Sequence, residues 1–286
     1  MNYEHAYHAG NFSDVIKHVL LSTLVQFFTK KETAFCYIDT HAGAGIYDLE
    51  AVQAKKTEEY ILGIEKIIQQ PDPPPLVKRY LDCVHAINNH LLKTHYASLR
   101  YYPGSPMLVK QLLRPHDRII ACELQTKTYQ ALKSNFAGDK QVAVHHSDGF
   151  LGLKAFLPPQ EKRGLILIDP PYENPNEYDR ILKTLPAALK RFPTGTYAIW
   201  YPIKAKSQSD HFLNTARRTL PGTLLSIELT IYPDLSQHLN GSGLLVINPP
   251  WQFDDAMKPL LPWLWNALTI NGQGHHIQQI LKSLLQ

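Results

Sequence analysis

The chain has 286 residues, 44% of them hydrophobic and 19% charged, with a formal net charge of +4. That length allows one large domain, or a core domain with an insertion, and the mild basic excess permits a polyanionic partner without the charge density of a histone-like binder. Cys36, Cys83 and Cys122 are odd in number, widely spaced and without a Cys-x-x-Cys, so neither a disulfide framework nor a metal site is expected and a reducing cytoplasm fits best.

The most apolar early stretch, Val19 to Phe28, is broken by Ser22, Thr23 and Gln26, which argues against a signal peptide or a membrane span. A soluble, cytoplasmic protein with no membrane partner is expected. Apolar side chains at Val15, Val19, Leu20, Leu24 and Phe27 predict a helix over Asp14 to Phe28, with Ser13 as its N-cap. Ala34 to Ile38 is a short apolar run ending in Asp39, and Thr40-His41-Ala42-Gly43-Ala44-Gly45 follows, which reads as a buried strand entering a glycine turn. Residues 51 to about 97 read as two or more helices, with Tyr60, Ile61, Ile64 and Ile67 on one stripe and Leu81, Val84, Ile87 and Leu91 on another, separated by the prolines of 71–75. Pro103-Gly104-Ser105-Pro106 predicts a helix start with Ser105 as cap, running to about Leu113.

From Arg118 onward strands and helices alternate. Strands are expected at Ile119 to Glu123, Val142 to His146, Leu165 to Asp169, Thr196 to Tyr201, Leu224 to Tyr232 and Leu244 to Asn248. Helices are expected over 126–136, after Gly149, and over 177–191, 206–218 and 254–269. This pattern predicts an α/β fold with a mostly parallel, doubly wound sheet. A nucleoside-binding sheet carries a ribose-binding acid at the end of its second strand, about 20 residues after the first glycine turn. Here Glu123 lies 84 positions after Asp39. Removing 48–103 restores the spacing, so that stretch reads as an inserted helical subdomain in a domain made of 1–47 and 104–286.

Three groups of residues carry chemistry. Asp39-x-His41-x-Gly43-x-Gly45 lets backbone amides approach a ligand, and the absence of a third glycine disfavours a dinucleotide oxidoreductase. Glu123 could accept from ribose hydroxyls and Asp148 from an adenine amine. Second, Leu165 to Ile168 runs into Asp169-Pro170-Pro171-Tyr172. An arylamine is a poor nucleophile because its lone pair is delocalised into the purine; a carboxylate (Asp169) and a backbone carbonyl (Pro170) that hold its hydrogens favour attack, and the carboxylate can take the released proton. The prolines rigidify the turn and Tyr172 offers a stacking face to an extruded base. Asn248-Pro249-Pro250-Trp251 copies the pattern near the C-terminus, where late antiparallel strands belong, and reads as a structural turn. Third, the segment Tyr3 to Asn11 and the helix bearing Lys17 and His18 offer rings and cations that suit RNA or could close over a cofactor. Lys183, Lys190, Arg191, Lys204, Lys206, Arg217 and Arg218 give the second half a basic tendency.

With these residues assembled, the chain resembles the bacterial 23S rRNA adenine-N6 methyltransferases, relatives of DNA adenine methyltransferases. The resemblance is carried by His8-Ala9-Gly10-Asn11 with Asp14, Lys17 and His18, by Asp39 to Gly45, by Arg100 to Pro106, and by Asp148-Gly149-Phe150. Arg163 to Tyr172, Trp200-Tyr201-Pro202 and Ile247 to Trp251 complete it. It implies a class I, Rossmann-like methyltransferase fold with a helical insertion and S-adenosylmethionine as cofactor, leaving S-adenosylhomocysteine as product. It further implies cofactor contacts from His18, His41, Ser105, Glu123, Asp148 and Gly149, proton acceptance by Asp169, and substrate contact by Tyr3. A monomer and 23S rRNA as substrate follow from the resemblance alone. The alternatives are a DNA adenine-N6 methyltransferase, because the catalytic loop does not distinguish the nucleic acids, and a non-catalytic RNA-binding protein on the same fold.

Overall fold

In chain order the structure, a computed structural model describing residues 4–93, 99–174, 176–234 and 238–283, begins with a 3-10 turn (His5–Tyr7), α1 (Phe12–Thr29), β1 (Cys36–Asp39) and β2 (Ile46–Asp48). Then come α2 (Val52–Thr57), a 3-10 turn (Glu59–Leu62), α3 (Ile64–Ile68), α4 (Pro75–Leu92), β3 (Tyr101–Pro103), α5 (Ser105–Lys110), β4 (Arg118–Glu123), α6 (Thr126–Asn135) and β5 (Val142–His146). The remainder is α7 (Gly149–Phe156), β6 (Gly164–Ile168), α8 (Glu177–Arg191), β7 (Thr196–Ile203), α9 (Lys206–Thr219), β8 (Thr223–Thr230), β9 (Gly241–Ile247), α10 (Phe253–Leu268) and β10 (His275–Lys282).

Among the described residues eight strands form one sheet, in the order β10-β8-β9-β7-β6-β1-β4-β5. The strands β5, β4, β1, β6 and β7 are mutually parallel, whereas β9 runs antiparallel to both β7 and β8 and β10 antiparallel to β8. This is the mostly parallel, doubly wound α/β sheet that the alternation of strands and helices predicts. Side chains alternate between two faces because a strand has a period of two. Leu165 and Leu167 of β6 join a core with α1, α4, α5 and α10, while Ile166 and Ile168 join the one under α7, α8 and α9. The α1 helix is buried on nearly every side, from Phe12 through Val25, so its apolar residues are not confined to one face and its polar ones, Asp14, Lys17 and His18 among them, are buried as well.

Several expected details are displaced. The N-cap of α1 is Asn11, whose side-chain oxygen accepts from Asp14 N at 2.8 Å, and Ser13 lies within the first turn. The cap of α5 is Gly104 rather than Ser105, whose hydroxyl is drawn to Asp39, and α5 stops at Lys110, short of Leu113. Ile61 and Leu91 face outward, at 42% and 39% exposure, because a 3-10 turn at Glu59–Leu62 rotates the first stripe and the second ends beside the C-terminus of α4. Unforeseen were the antiparallel pair β2 and β3 and the edge strand β10, which are short or mixed in polarity. The β2–β3 pair closes the neck of the segment that holds α2, α3 and α4, and Ile64, Ile67, Val77, Tyr80 and Val84 of that segment share the core of α1. No helix among the described residues is long and apolar enough to cross a membrane.

Leu24, fully buried on α1, tests the packing. Leu24→Ala is expected to cost about 2–5 kcal/mol in urea unfolding, by lost burial and a residual cavity; a cost below about 1 kcal/mol would contradict the burial of α1 between sheet and flanking helices.

Candidate active site

In an open parallel sheet, ligands bind outside the carboxyl ends of the strands. Strands β6, β1, β4 and β5 are neighbours, so their C-terminal ends bring Asp169, Asp39, Glu123 and Asp148 side by side in that order along one edge. A cleft of about 1080 Å³ opens there. It is at the upper end of what a single small ligand fills. His18, His41, Gly43, Ser105, Glu123, Asp148, Gly149, Asp169, Pro170 and Tyr172 all line it, and Asp39 does not. Tyr3 lies outside the described residues.

Asp39 works from beneath the glycine turn. It is fully buried, and its carboxylate accepts from Tyr37 Oη at 2.7 Å, Ser105 Oγ at 2.6 Å and His41 N at 3.3 Å. Burial pushes its carboxyl up to about 6, against the pull of the two hydroxyls. Glu123 ties the turn to β4, accepting from Gly43 N at 3.1 Å and Gln125 N at 2.7 Å, and burial raises it as well. Gly43 has φ +64, and a Cβ there would stand 2.2 Å from Tyr47 Oη. Gly149 is required for close approach, since its Cβ would meet Thr40 O at 1.9 Å. Asp148 caps α7 through Oδ1, accepting from Phe150 N at 2.8 Å and Leu151 N at 3.2 Å, and its Oδ2 accepts from Arg180 Nη2 at 2.6 Å.

At the other end of the cleft Tyr172 takes φ +52, a costly conformation for an aromatic residue. Its hydroxyl donates to Trp200 O, and its ring meets Trp200 edge-on at 5.7 Å. Asp169 Oδ2 accepts from Lys17 Nζ at 2.7 Å, and the same ammonium reaches Asp14 Oδ1 at 2.9 Å. Burial alone would lower the Lys17 ammonium, but the carboxylates of Asp14 and Asp169 raise it well above its ordinary value. Asp14 also accepts from His5 Nε2 at 2.9 Å and Gly10 N at 3.0 Å, which ties the N-terminal segment to α1.

The sequence offers Lys17 only as a cation that suits RNA or closes over a cofactor, and this pairing with Asp169 is not legible in it. A signal of its burial was present: Asp14 and Lys17 stand three residues apart in a helix whose apolar residues are spread round its circumference, which leaves no charged, solvated face for them to occupy. Arg180 was missed too, because a helix interior carries no motif. Asn248 belongs to the opposite end of the sheet. Antiparallel pairing sets Ile247 against Tyr197 at the start of β7, and Asn248 Nδ2 donates to Pro193 O and Gly195 O.

The cleft suits a cationic nucleoside cofactor. Its wall carries Glu123, Asp148 and Asp169, while His18 and His41 are neutral, drawn down chiefly by burial to about 3 and about 4. His18 Nδ1 is hydrogen-bonded to Tyr102 Oη at 2.8 Å, and its buried Nε2 has no partner among the described residues.

Comparison with known proteins places these features in a family. A family model described as "Ribosomal RNA large subunit methyltransferase D, RlmJ" matches residues 32–281. "Ribosomal RNA large subunit methyltransferase J" of Haemophilus influenzae is 42% identical over 277 residues, 96% of each chain. Its Escherichia coli counterpart of the same name is 41% identical over 276 residues, again 96% of each. A crystal structure of a Legionella pneumophila protein covers 97% of this chain and 99% of its own, with a TM-score of 0.85 at 37% identity.

The neutral His18 has a pH consequence. An unfolded imidazole protonates near pH 6.5 and the folded one only near 3, so stability present above pH 6.5 is lost as pH falls toward 3. At pH 5 the loss from this group is on the order of 2 kcal/mol. Urea unfolding at pH 7 and pH 5 should show a smaller decline for His18→Gln than for the unaltered chain; equal declines would mean that His18 titrates normally.

Proposed function

The chain belongs to the RlmJ family of ribosomal RNA large subunit methyltransferases, and from that premise we propose that it transfers a methyl group from S-adenosylmethionine to the exocyclic N6 amine of an adenine in 23S rRNA. Family membership sets aside the non-catalytic RNA-binding alternative. Glu123 would take the cofactor's ribose hydroxyls and Asp148 its adenine amine. His18, His41, Ser105 and the glycines at 43 and 149 would line its remaining surface. When bound, the cofactor supplies an electrophilic methyl group on a sulfonium.

The observation that carries the N6 assignment is the Asp169-Pro170-Pro171-Tyr172 turn at the C-terminal end of β6, with Asp169 held by Lys17 and Tyr172 fixed to Trp200 O. Asp169 and the Pro170 carbonyl accept the two amine hydrogens of an adenine turned out of its strand, and this directs the nitrogen lone pair away from them. The Tyr172 ring stacks on the purine, with Trp200 forming the adjoining wall. When the amine takes the methyl group, with S-adenosylhomocysteine as the leaving group, its proton passes to an Asp169 oxygen. Lys17 holds that carboxylate in place before transfer, and its second bond to Asp14 anchors it. Two prolines and the pinned Tyr172 hydroxyl preorganise the acceptors, so the loop does not have to reorder as charge develops.

The segment 48–103 is read as an inserted helical subdomain walling the cleft. Tyr3 is read as a further substrate contact, and the enzyme as a cytoplasmic monomer.

Incubation of the enzyme with labelled S-adenosylmethionine and unmodified 23S rRNA, followed by nucleoside analysis, is expected to give N6-methyladenosine. Asp169→Asn should bind the cofactor normally yet lose about 100-fold or more in kcat. A fully active Asp169→Asn enzyme would overturn the mechanism, and preferential labelling of DNA oligonucleotides in competition would overturn the substrate.

A further inference from the structure

The cleft is bordered by several carboxylates, an unwelcoming environment for a polyanion, so its free cations matter. Of the Lys and Arg side chains that line it, Lys17 is engaged by Asp14 and Asp169, and Arg180 by Asp148. Lys127 and Lys204 have no carboxylate partner among the described residues. Lys127 stands on α6, shortly after Glu123, on the side read as the cofactor's. Lys204 stands on the other side, beyond the wall that carries Trp200 and Pro202.

The position of Lys204 follows from strand length. Ile168, the last residue of β6, pairs with Ile199, so Asp169 lies level with Trp200 and β7 continues past it to Ile203. Antiparallel pairing with β9 supports this overhang, with Pro202 against Ser242 and Ile203 against Gly241. Lys204 is thus four residues above the acceptor carboxylate, roughly 13 Å along the strand. That is too far to touch the reacting amine, and it suits the sugar-phosphate chain that must enter with the base.

The backbone at this point is rigid. Buried Asn240 donates through Nδ2 to Lys204 O at 2.6 Å and through its own N to Ile203 O at 2.9 Å, while its carbonyl accepts from Ile231 N at 2.9 Å and Tyr232 N at 3.3 Å. One residue, through its side-chain amide and its own backbone, therefore fastens together the end of β7, the end of β8 and the start of β9. Tyr232 and His238 line the cleft beside this corner, and the Tyr232 ring packs edge-on against Phe12 of α1 at 6.3 Å. The next lysine, Lys206, is turned away and engaged by Glu228 at 3.0 Å and Asp210 at 2.8 Å. The corner presents one exposed ammonium over the substrate half of the cleft.

We propose that Lys204, held out by the Asn240 fastening at the overhanging end of β7, contacts a backbone phosphate of the RNA strand flanking the target adenine. The proposal rests on the reading of the substrate as RNA. Lys204 contributes binding and register and takes no part in proton transfer. It therefore acts on the affinity for RNA and leaves the chemical step alone.

The test is steady-state methylation of the unmodified 23S rRNA at several salt concentrations by the full-length enzyme and its Lys204→Gln, Lys204→Arg and Lys258→Gln variants. Lys258 is the control, a surface lysine on α10 that pairs with Asp255 at 2.7 Å. Lys204→Gln is expected to raise KM for RNA about threefold or more, and to make the log–log salt slope shallower by about 0.7, as for loss of one phosphate contact on a single strand. Its kcat at saturating RNA and its affinity for the cofactor should not change. Lys204→Arg should retain RNA affinity, since it keeps the charge. An unchanged KM and salt slope in Lys204→Gln, or an equal change in Lys258→Gln, would overturn the inference. A parent enzyme that methylates DNA and no RNA would overturn the underlying reading instead.

Discussion

An ammonium group enclosed by protein is expensive unless anions surround it, and Lys17 is almost wholly buried on a helix that is itself buried. It is satisfied by two carboxylates from different parts of the chain: Asp14, one turn earlier on α1, and Asp169, at the end of β6. The pair can form only if α1 lies across the sheet face at one angle and depth, so the apolar packing of α1 and the position of the Asp169 carboxylate are the same constraint. Asp14, drawn far below the usual carboxylate range against its own burial, then recruits His5 and the Gly10 amide. The N-terminal segment, the helix and the loop after β6 are in this way coupled through one cation.

The rest of the site is built on that frame by strand order. Because β6, β1, β4 and β5 are adjacent and parallel, the acids at or just beyond their ends fall in one row, each with a different task. Asp39 holds the glycine turn and Ser105 from below, Glu123 and Asp148 border the half proposed for the cofactor, and Asp169 borders the half proposed for the substrate. The carboxylates suit the cationic cofactor proposed there, and the neutral imidazoles of His18 and His41 do not oppose it. This arrangement leaves little positive charge on the side proposed for the substrate, where the overhanging corner of β7 carries Lys204.

Much of this was legible in the sequence because it is written in periodicity and in strand-end residues. Val142 to His146 and the helix over 177–191 have the bounds that their apolar spacing gives. What escaped reading was whatever depends on a partner distant in the chain. Ser105 looks like a helix cap until Asp39 competes for its hydroxyl, and Lys17 looks like a surface cation until Asp169, 152 residues away, meets it. The edge strand His275–Lys282 has a polar, mixed pattern because one of its sides has no neighbour, so alternation alone does not reveal it. The Asn248 copy of the catalytic turn shows the same principle in reverse. Local sequence repeats the motif, and the antiparallel direction of β9 carries it to the wrong end of the sheet.

If Lys17 serves the reaction by holding Asp169, removing either group should remove one shared effect. The most direct measurement is a double-mutant cycle on kcat with Lys17→Met, Asp169→Asn and the combined variant, each shown to be folded and able to bind the cofactor. The account predicts strong non-additivity, with the double variant no slower than Asp169→Asn alone. Losses that multiply across the two sites would contradict it, because Lys17 would then be acting independently of the carboxylate it contacts.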